Sequence, residues 1–159
     1  MEVTYRPIGV IHSPFNDLKA MPIQPTGEAS APGTADIFPE FSQGLKDLEG
    51  FSHVILLYHL HEVRRSNLIV TPFLGSGPRG VFATRAPTRP NPIGLSIVKL
   101  VRVKGDRLQL GNVDILDGTP LLDIKPYVPD FDQPTDVRAG WLETARSKVR
   151  SARSDGRFS

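Results

Sequence analysis

Cysteine is absent from the 159 residues. Its absence excludes disulfides, thiolate zinc sites and cysteine nucleophiles. No apolar run approaches the roughly 18 residues that a membrane-spanning helix needs. The opening MEVTYRPIGVIHSPF carries Glu2 early and lacks the apolar centre of a secretory signal. A cytoplasmic protein with no membrane contact is therefore expected. Nor is there a large excess of charge, since the net value is only +2. What is abundant is proline, at 15, and glycine, at 14. Such numbers disfavour a helical bundle and favour short strands joined by shaped loops. The length suits one domain with a core of its own, and 39% hydrophobic with 23% charged residues is ordinary for a globular protein.

The few net charges are unevenly placed. Residues 138–159 hold six Lys/Arg and two Asp/Glu, a balance of +4 that leaves −2 for residues 1–137. Within that acidic remainder, residues 79–107 hold seven Lys/Arg against Asp106 alone. Two basic segments on a nearly neutral chain fit a polyanionic partner. A solvated surface fits the same distribution.

Alternation and β-branched residues predict strands over residues 5–11, 35–38, 53–60, 67–74, 80–84, 95–103, 107–115 and 121–127, with the run 53–60 apolar on both parities. Their spacing suggests a mostly β barrel or sandwich. Residues 13–34 read as a long loop and 41–48 as a short helix. Only residues 138–152 have the pattern of a substantial helix, with Trp141, Ala145 and Val149 at i, i+4 and i+8. Gly75-Ser-Gly-Pro-Arg-Gly80 matches G-x-G-x-x-G, but the strand-like Val81-Phe-Ala-Thr84 follows where a dinucleotide fold requires a helix. A hairpin loop is expected there instead.

Two polar constellations stand out. In GVFATRAPTRPNPIGLS, residues 80–96, Pro87, Pro90 and Pro92 fix φ, forbid a helix and stiffen a loop bearing Arg85, Arg89 and Asn91. Pre-fixed guanidinium forks suit carboxylate or phosphate recognition, although a barrel corner with two surface arginines has the same pattern. In VDILDGTPLLDIKPY, residues 113–127, Asp117-Gly-Thr-Pro120 signals a tight turn between strands. That turn has no need of Asp114, Asp123 or Lys125. Strand parity places Asp123, Lys125 and Tyr127 on one face, either lining a cleft or forming the wet side of a sheet. His59 and His61 would share one strand face about 6.6 Å apart, with His53 roughly 20 Å away. Without a nearby carboxylate cluster, no metal site is expected. His61 and Glu62 mark instead where the buried strand opens to a polar site.

IGVIHSPF, Pro22-Ile23-Gln24-Pro25, FSHVILLYHLHE, GVFATRAPTRPNPIGLSIV and VDILDGTPLLDIKPYVP, taken together, resemble the TsaA-like, or TrmO/YaeB, family of small β-barrel methyltransferases. The resemblance covers residues 8–129 and implies a non-Rossmann barrel over residues 1–137, with the basic helix and tail 138–159 part of the same unit. It implies use of S-adenosylmethionine (SAM) and methylation of N6 of threonylcarbamoyl-adenosine at position 37 of tRNA by a homodimer with cofactor sites near the subunit interface. Cofactor contacts then fall on Gln24, Pro25, His61, Glu62, Arg89, Asp117, Gly118, Thr119, Pro120 and Leu121. Asp117, His61 and Asn91 become the catalytic candidates. Arg85, Lys125 and Tyr127 would face the tRNA, with Arg146, Arg150 and Arg153 of the basic segment as phosphate contacts. Ile23 and Glu62 depart from the basic residue and the glutamine common in the family, and the further C-terminal domain of longer members is not in this sequence. Two other readings remain open: a SAM-dependent methyltransferase of another RNA or a small molecule, and a non-catalytic nucleic-acid-binding barrel.

Overall fold

The structure, a computed structural model, describes residues 1–17 and 31–145. Its strands are β1 (Gly9–His12), β2 (Gly33–Ile37), β3 (His53–His59), β4 (Ile69–Val70), β5 (Arg79–Gly80), β6 (Ile93–Lys104), β7 (Arg107–Gly111) and β8 (Thr119–Pro126). Six of them close an antiparallel barrel in the order β1-β2-β7-β6-β3-β8, with β8 pairing back onto β1. The expected mostly β barrel is thus what forms. By Cα grouping the chain divides into two compact units, one of Met1–Arg64 with Asn91–Val128, the other of Arg65–Pro90 with the chain from Pro129 onward.

Period-2 alternation fills the barrel. Ile11, Ala35, Val54, Leu56, Val98, Leu108 and Leu121 are fully buried, each such aliphatic side chain larger than alanine stabilising the fold by about 1.5–3 kcal/mol. Gly9 belongs to this interior because a Cβ there would overlap the backbone carbonyl of Asp36 on the paired strand. A register shift between Leu57 and Tyr58 pairs them with Asp123 and Leu121, so Leu122 is the extra residue of a bulge on β8. The bulge changes the inward parity, and Ile124 rather than Asp123 packs against the core.

Several strands are shorter than their patterns suggest. β1 begins at Gly9 rather than residue 5, since Pro7 has no N–H to give a ladder. β7 stops at Gly111, where Asn112 turns left-handed at φ 58°. The stretch 67–74 contributes only Ile69–Val70, and 80–84 becomes the end of β5 followed by a 3-10 turn, Val81–Ala83. The helix expected over 41–48 is two 3-10 segments, Pro39–Leu45 and Leu48–Gly50, divided at Asp47, whose φ of 67° no α-helix accommodates. His61 lies in a turn beyond β3 and not on the strand with His59.

In the second unit, β4 and β5 pair antiparallel, which makes the glycine-rich segment a hairpin loop. Residues 141–145 are helical; residues 138–140, expected to open this helix, are not, with Gly140 at φ 55°, and residues 146–152 fall outside the described residues. Trp141 anchors this unit. Its Nε1 donates to the Ala83 carbonyl at 2.8 Å, the Arg79 guanidinium lies 5.5 Å from its ring centroid, and Gly75 leaves room for the indole that a Cβ would take.

Candidate functional site

The end of the barrel where β1, β3 and β8 meet their polar loops carries most of the candidate chemistry. The loop leading into β8 is fastened at nearly every residue. Asp117 N–H donates to the Phe15 carbonyl at 2.7 Å and Gly118 N–H to the Ile11 carbonyl at 2.9 Å. Thr119 Oγ1 donates back to the Leu116 carbonyl at 2.6 Å, and Ser13 Oγ to the Ile115 carbonyl. Gly118 completes the turn at φ 78°, and a Cβ there would meet only open space. The turn that Asp-Gly-Thr-Pro signals is present, but the hairpin expected around it is not: β7 pairs with β2 and β6, and β8 with β3 and β1, so the turn joins strands that are not neighbours. It is held rigidly enough to present a side chain in one place.

That side chain is Asp117. Its Oδ1 accepts the Ser13 N–H at 3.0 Å and faces His12 Nδ1 at 3.3 Å, while Oδ2 has no partner among the described residues. The other imidazole nitrogen, His12 Nε2, is 3.4 Å from Asp36 Oδ2. Arg107 closes the row, donating from Nε and Nη2 to the two Asp36 oxygens at 2.6 and 3.2 Å. The hydrogen bond to Asp36, and then its charge, raise the Arg107 pKa above the ordinary arginine value. His12, Ser13, Asp36 and Arg107 escape the sequence patterns, because β1 to β8 neighbours are a hundred residues apart. The block IGVIHSPF is a visible signal in the sequence, but it carries no indication of what His12 and Ser13 touch.

His61 and Glu62 sit in the turn after β3, with His61 Nε2 3.6 Å from Glu62 Oε1. The Leu60 N–H donates to the Pro92 carbonyl at 2.8 Å, which ties this turn to the segment entering β6. Asn91, exposed, accepts from the Ile93 N–H through its own carbonyl at 2.7 Å. His61, Glu62, Asn91 and the stretch Asp117–Leu121 therefore share one barrel end, with Thr119 and Leu121 themselves buried in its wall.

Asp114, which the turn alone did not explain, also has a partner. Tyr58 and Ser96, both buried, hydrogen-bond at 2.8 Å inside the barrel, and Ser96 Oγ donates to Asp114 Oδ1 at 2.8 Å. With Ser96 donating onward, the Tyr58 phenol donates to Ser96, and the chain of three runs toward the Asp117 loop.

The proline loop of the second unit is braced by its own arginine. Arg89 Nη1 donates to the Thr84 and Ala86 carbonyls, both at 3.0 Å. Prolines supply no N–H, so one guanidinium nitrogen of Arg89 takes up two loop carbonyls instead. Arg89 is partly buried and Arg85 exposed.

Lys125 and Tyr127 are not brought to Asp117. They lie toward the far end of β8, roughly 20 Å along the strand from Thr119. There Lys125 pairs with Asp123 at 2.9 Å and Tyr127 meets the edge of His53 with ring centroids 6.4 Å apart. Gln24, Pro25, Arg146, Arg150 and Arg153 lie outside the described residues. Among the described residues no three His, Asp or Glu side chains converge as a metal site. A cavity of about 570 Å³ opens at the far end too, lined by Phe41, Leu45, Leu48 and Ile124 among others. Arg6 already lies 5.5 Å from the Phe41 ring centroid. Glu40, Gln43, Lys46, Asp47 and Asp123 also line the cavity, and none of the cofactor or catalytic candidates does.

A closed six-stranded barrel with a carboxylate-bearing turn at one rim is a different architecture from the doubly wound sheet of dinucleotide-binding folds. Residues 10–133 match the family described as tRNA-methyltransferase O N-terminal domain, and the chain belongs to that family. A probable S-adenosyl-L-methionine-binding protein of Pyrococcus abyssi is 58% identical over 98% of this chain and 85% of its own. The tRNA (adenine(37)-N6)-methyltransferase of Escherichia coli K12 is 39% identical over 89% of this chain. The crystal structure of TrmO from Pseudomonas aeruginosa superposes with a TM-score of 0.75 at 44% identity, over 88% of this chain. The chain spans 64% of the E. coli protein and 62% of the P. aeruginosa one.

Proposed function

We propose that this protein is a SAM-dependent tRNA methyltransferase that acts on N6 of threonylcarbamoyl-adenosine at position 37. The family match over residues 10–133 carries this reading. Relatives named as SAM-binding proteins and as tRNA (adenine(37)-N6)-methyltransferases support its cofactor and its substrate class. A tRNA substrate fits a cytoplasmic setting, and no described helix is long and apolar enough to cross a membrane.

The residues at the barrel rim suit the cofactor. Asp117 Oδ2, unpartnered among the described residues, is an acceptor for ribose hydroxyls or for the field of a sulfonium. The open turn at Gly118 admits a ligand close to the backbone. His61 and Glu62 add an imidazole and a carboxylate to the donor set, and the family resemblance adds Gln24, Pro25, Arg89, Thr119 and Pro120, while Leu121, fully enclosed in the barrel wall, supports the rim from within. SAM supplies, when bound, a methyl group activated by its sulfonium. The protein's share is then orientation, to which well-aligned binding contributes about 7–11 kcal/mol.

N6 of the modified base lies between a purine and a carbamoyl group, so its lone pair is delocalised and its proton must leave. Asp117 accepts that proton at Oδ2, or His61 at its imidazole, and such assistance is typically worth about 10²–10⁴-fold. Asn91 holds the base by its amide. Arg85, Lys125, Tyr127, Arg146, Arg150 and Arg153 contact the tRNA. The active species is a homodimer. The outward face of β6 supports this, since Ile93, Leu95 and Ile97 are 42–49% exposed at successive outward positions before Lys99, a short apolar strip of the kind that marks an association surface.

The test is calorimetry with SAM followed by nucleoside mass spectrometry of tRNA incubated with protein and cofactor. SAM binding and an added methyl on the threonylcarbamoyl-adenosine of position 37 are expected. Absence of binding overturns the enzymatic reading, and methylation elsewhere overturns the substrate.

A further inference from the structure

The block IGVIHSPF supplies none of the proposed cofactor contacts, yet among the described residues it provides the hydrogen-bond partners of Asp117. Ser13 gives its N–H to Asp117 Oδ1 and its hydroxyl to the Ile115 carbonyl, and His12 faces the same Oδ1 at 3.3 Å. The two residues make different kinds of contact. The backbone of the 115–119 turn is already set by Asp117 N–H to Phe15, Gly118 N–H to Ile11, Thr119 Oγ1 to Leu116 and Ser13 Oγ to Ile115. His12 joins none of these bonds. It reaches only the carboxylate, and it is held from behind by Asp36, which Arg107 grips through both oxygens.

We propose that His12 is a positioning residue for Asp117, fixing the carboxylate so that Oδ1 faces inward to the protein and Oδ2 faces the cofactor. The proposal rests on the SAM reading above. A carboxylate fixed by Ser13 N–H alone can still turn about its Cβ–Cγ bond and exchange its oxygens. The second contact from His12 removes that freedom, and the Asp36–Arg107 pair removes the freedom of His12 in turn. Pre-organisation of this kind is recovered as affinity, because the bound state orders nothing further. The two imidazole nitrogens face carboxylate oxygens on opposite sides of the ring, Asp117 Oδ1 at 3.3 Å and Asp36 Oδ2 at 3.4 Å.

A role that runs through Asp117 has a signature that a general structural role lacks. SAM affinity is measured by calorimetry for wild type, His12→Ala, Asp117→Asn and the double variant, with thermal melts to show that each is folded. Asn at 117 keeps a carbonyl oxygen, so binding stays measurable. His12→Ala is expected to weaken SAM by roughly tenfold in the wild-type background and by less than about twofold beside Asp117→Asn. His12→Asn places an amide nitrogen near the position of Nδ1 and is expected to restore affinity to within about threefold of wild type. Unchanged affinity in His12→Ala, or an equal loss in both backgrounds, overturns the proposal while leaving the SAM reading intact. Failure of the wild-type protein to bind SAM overturns the SAM reading itself, and this proposal with it.

Discussion

The ring of Tyr58 occupies the space that a Cβ on residue 94 would need, and β3 and β6 pair these two residues directly. Glycine at 94 is therefore required by a side chain on the neighbouring strand rather than by backbone freedom. Gly94→Ala is expected to destabilise the barrel by about 1–3 kcal/mol in urea unfolding, the usual cost of overpacking. In a Tyr58→Ala background the same alanine should cost much less, since the clash is gone. Additive losses across that cycle would show that Gly94 matters for some other reason.

Ser96 is the middle of the buried chain that ends on Asp114. Ser96→Ala removes the hydroxyl that bridges Tyr58 and Asp114, breaking two hydrogen bonds at once, and about 1–3 kcal/mol of stability should be lost. Tyr58→Phe removes a donor but leaves the Ser96–Asp114 bond in place, so its loss should be nearer 1 kcal/mol. Equal losses for the two variants in equilibrium unfolding would contradict this ordering.

The barrel was legible because its strands bury one parity, as β6 does with Ser96, Val98 and Leu100 inside and Leu95 and Ile97 outside. Strand ends were less so. β7 ends at Gly111 because Asn112 follows with a positive φ, and β8 changes parity through a bulge at Leu122; a residue pattern records neither. The turn at Asp117 was legible because Asp-Gly-Thr-Pro encodes it locally. Its partners were not, since Ser13 and His12 meet it only through barrel closure, in which β1 pairs with β2, bringing Asp36 to His12, on one side and with β8 on the other. Arg89 illustrates the converse. Its proline-fixed loop was legible, but part of its guanidinium serves the loop's own carbonyls.

The outward strip of β6 gives a test of assembly. Leu95 and Ile97 are 48% and 49% exposed and pair with Leu57 and Ile55 on β3. A surface lysine there should alter monomer stability by no more than about 0.5 kcal/mol. If the strip is the dimer face, Leu95→Lys with Ile97→Lys should convert the dimer to a monomer in light scattering at micromolar protein. A double variant that stays dimeric would move the interface elsewhere.

The basic segment separates binding of the polyanion from binding of the cofactor. Residues 138–159 carry +4 on a chain whose net charge is +2. Arg146, Arg150 and Arg153 follow one another at i, i+4 and i+7, the spacing of a helical face. Phosphate contacts supply affinity that depends on salt and not on sequence. Replacing the three arginines together by glutamine should weaken tRNA binding and flatten its salt dependence, by roughly 0.7–0.9 in the slope of log K against log salt for each phosphate no longer neutralised. SAM affinity should not change. Arg89→Gln should do the opposite, because its guanidinium braces the proline loop and belongs to the proposed cofactor set. It should lower SAM affinity or turnover and leave the salt slope nearly as it was. Filter binding of tRNA over a salt series, beside a SAM titration, measures both. An unchanged slope in the triple variant would make the basic segment a solvated surface and leave tRNA binding to the arginines of residues 79–107.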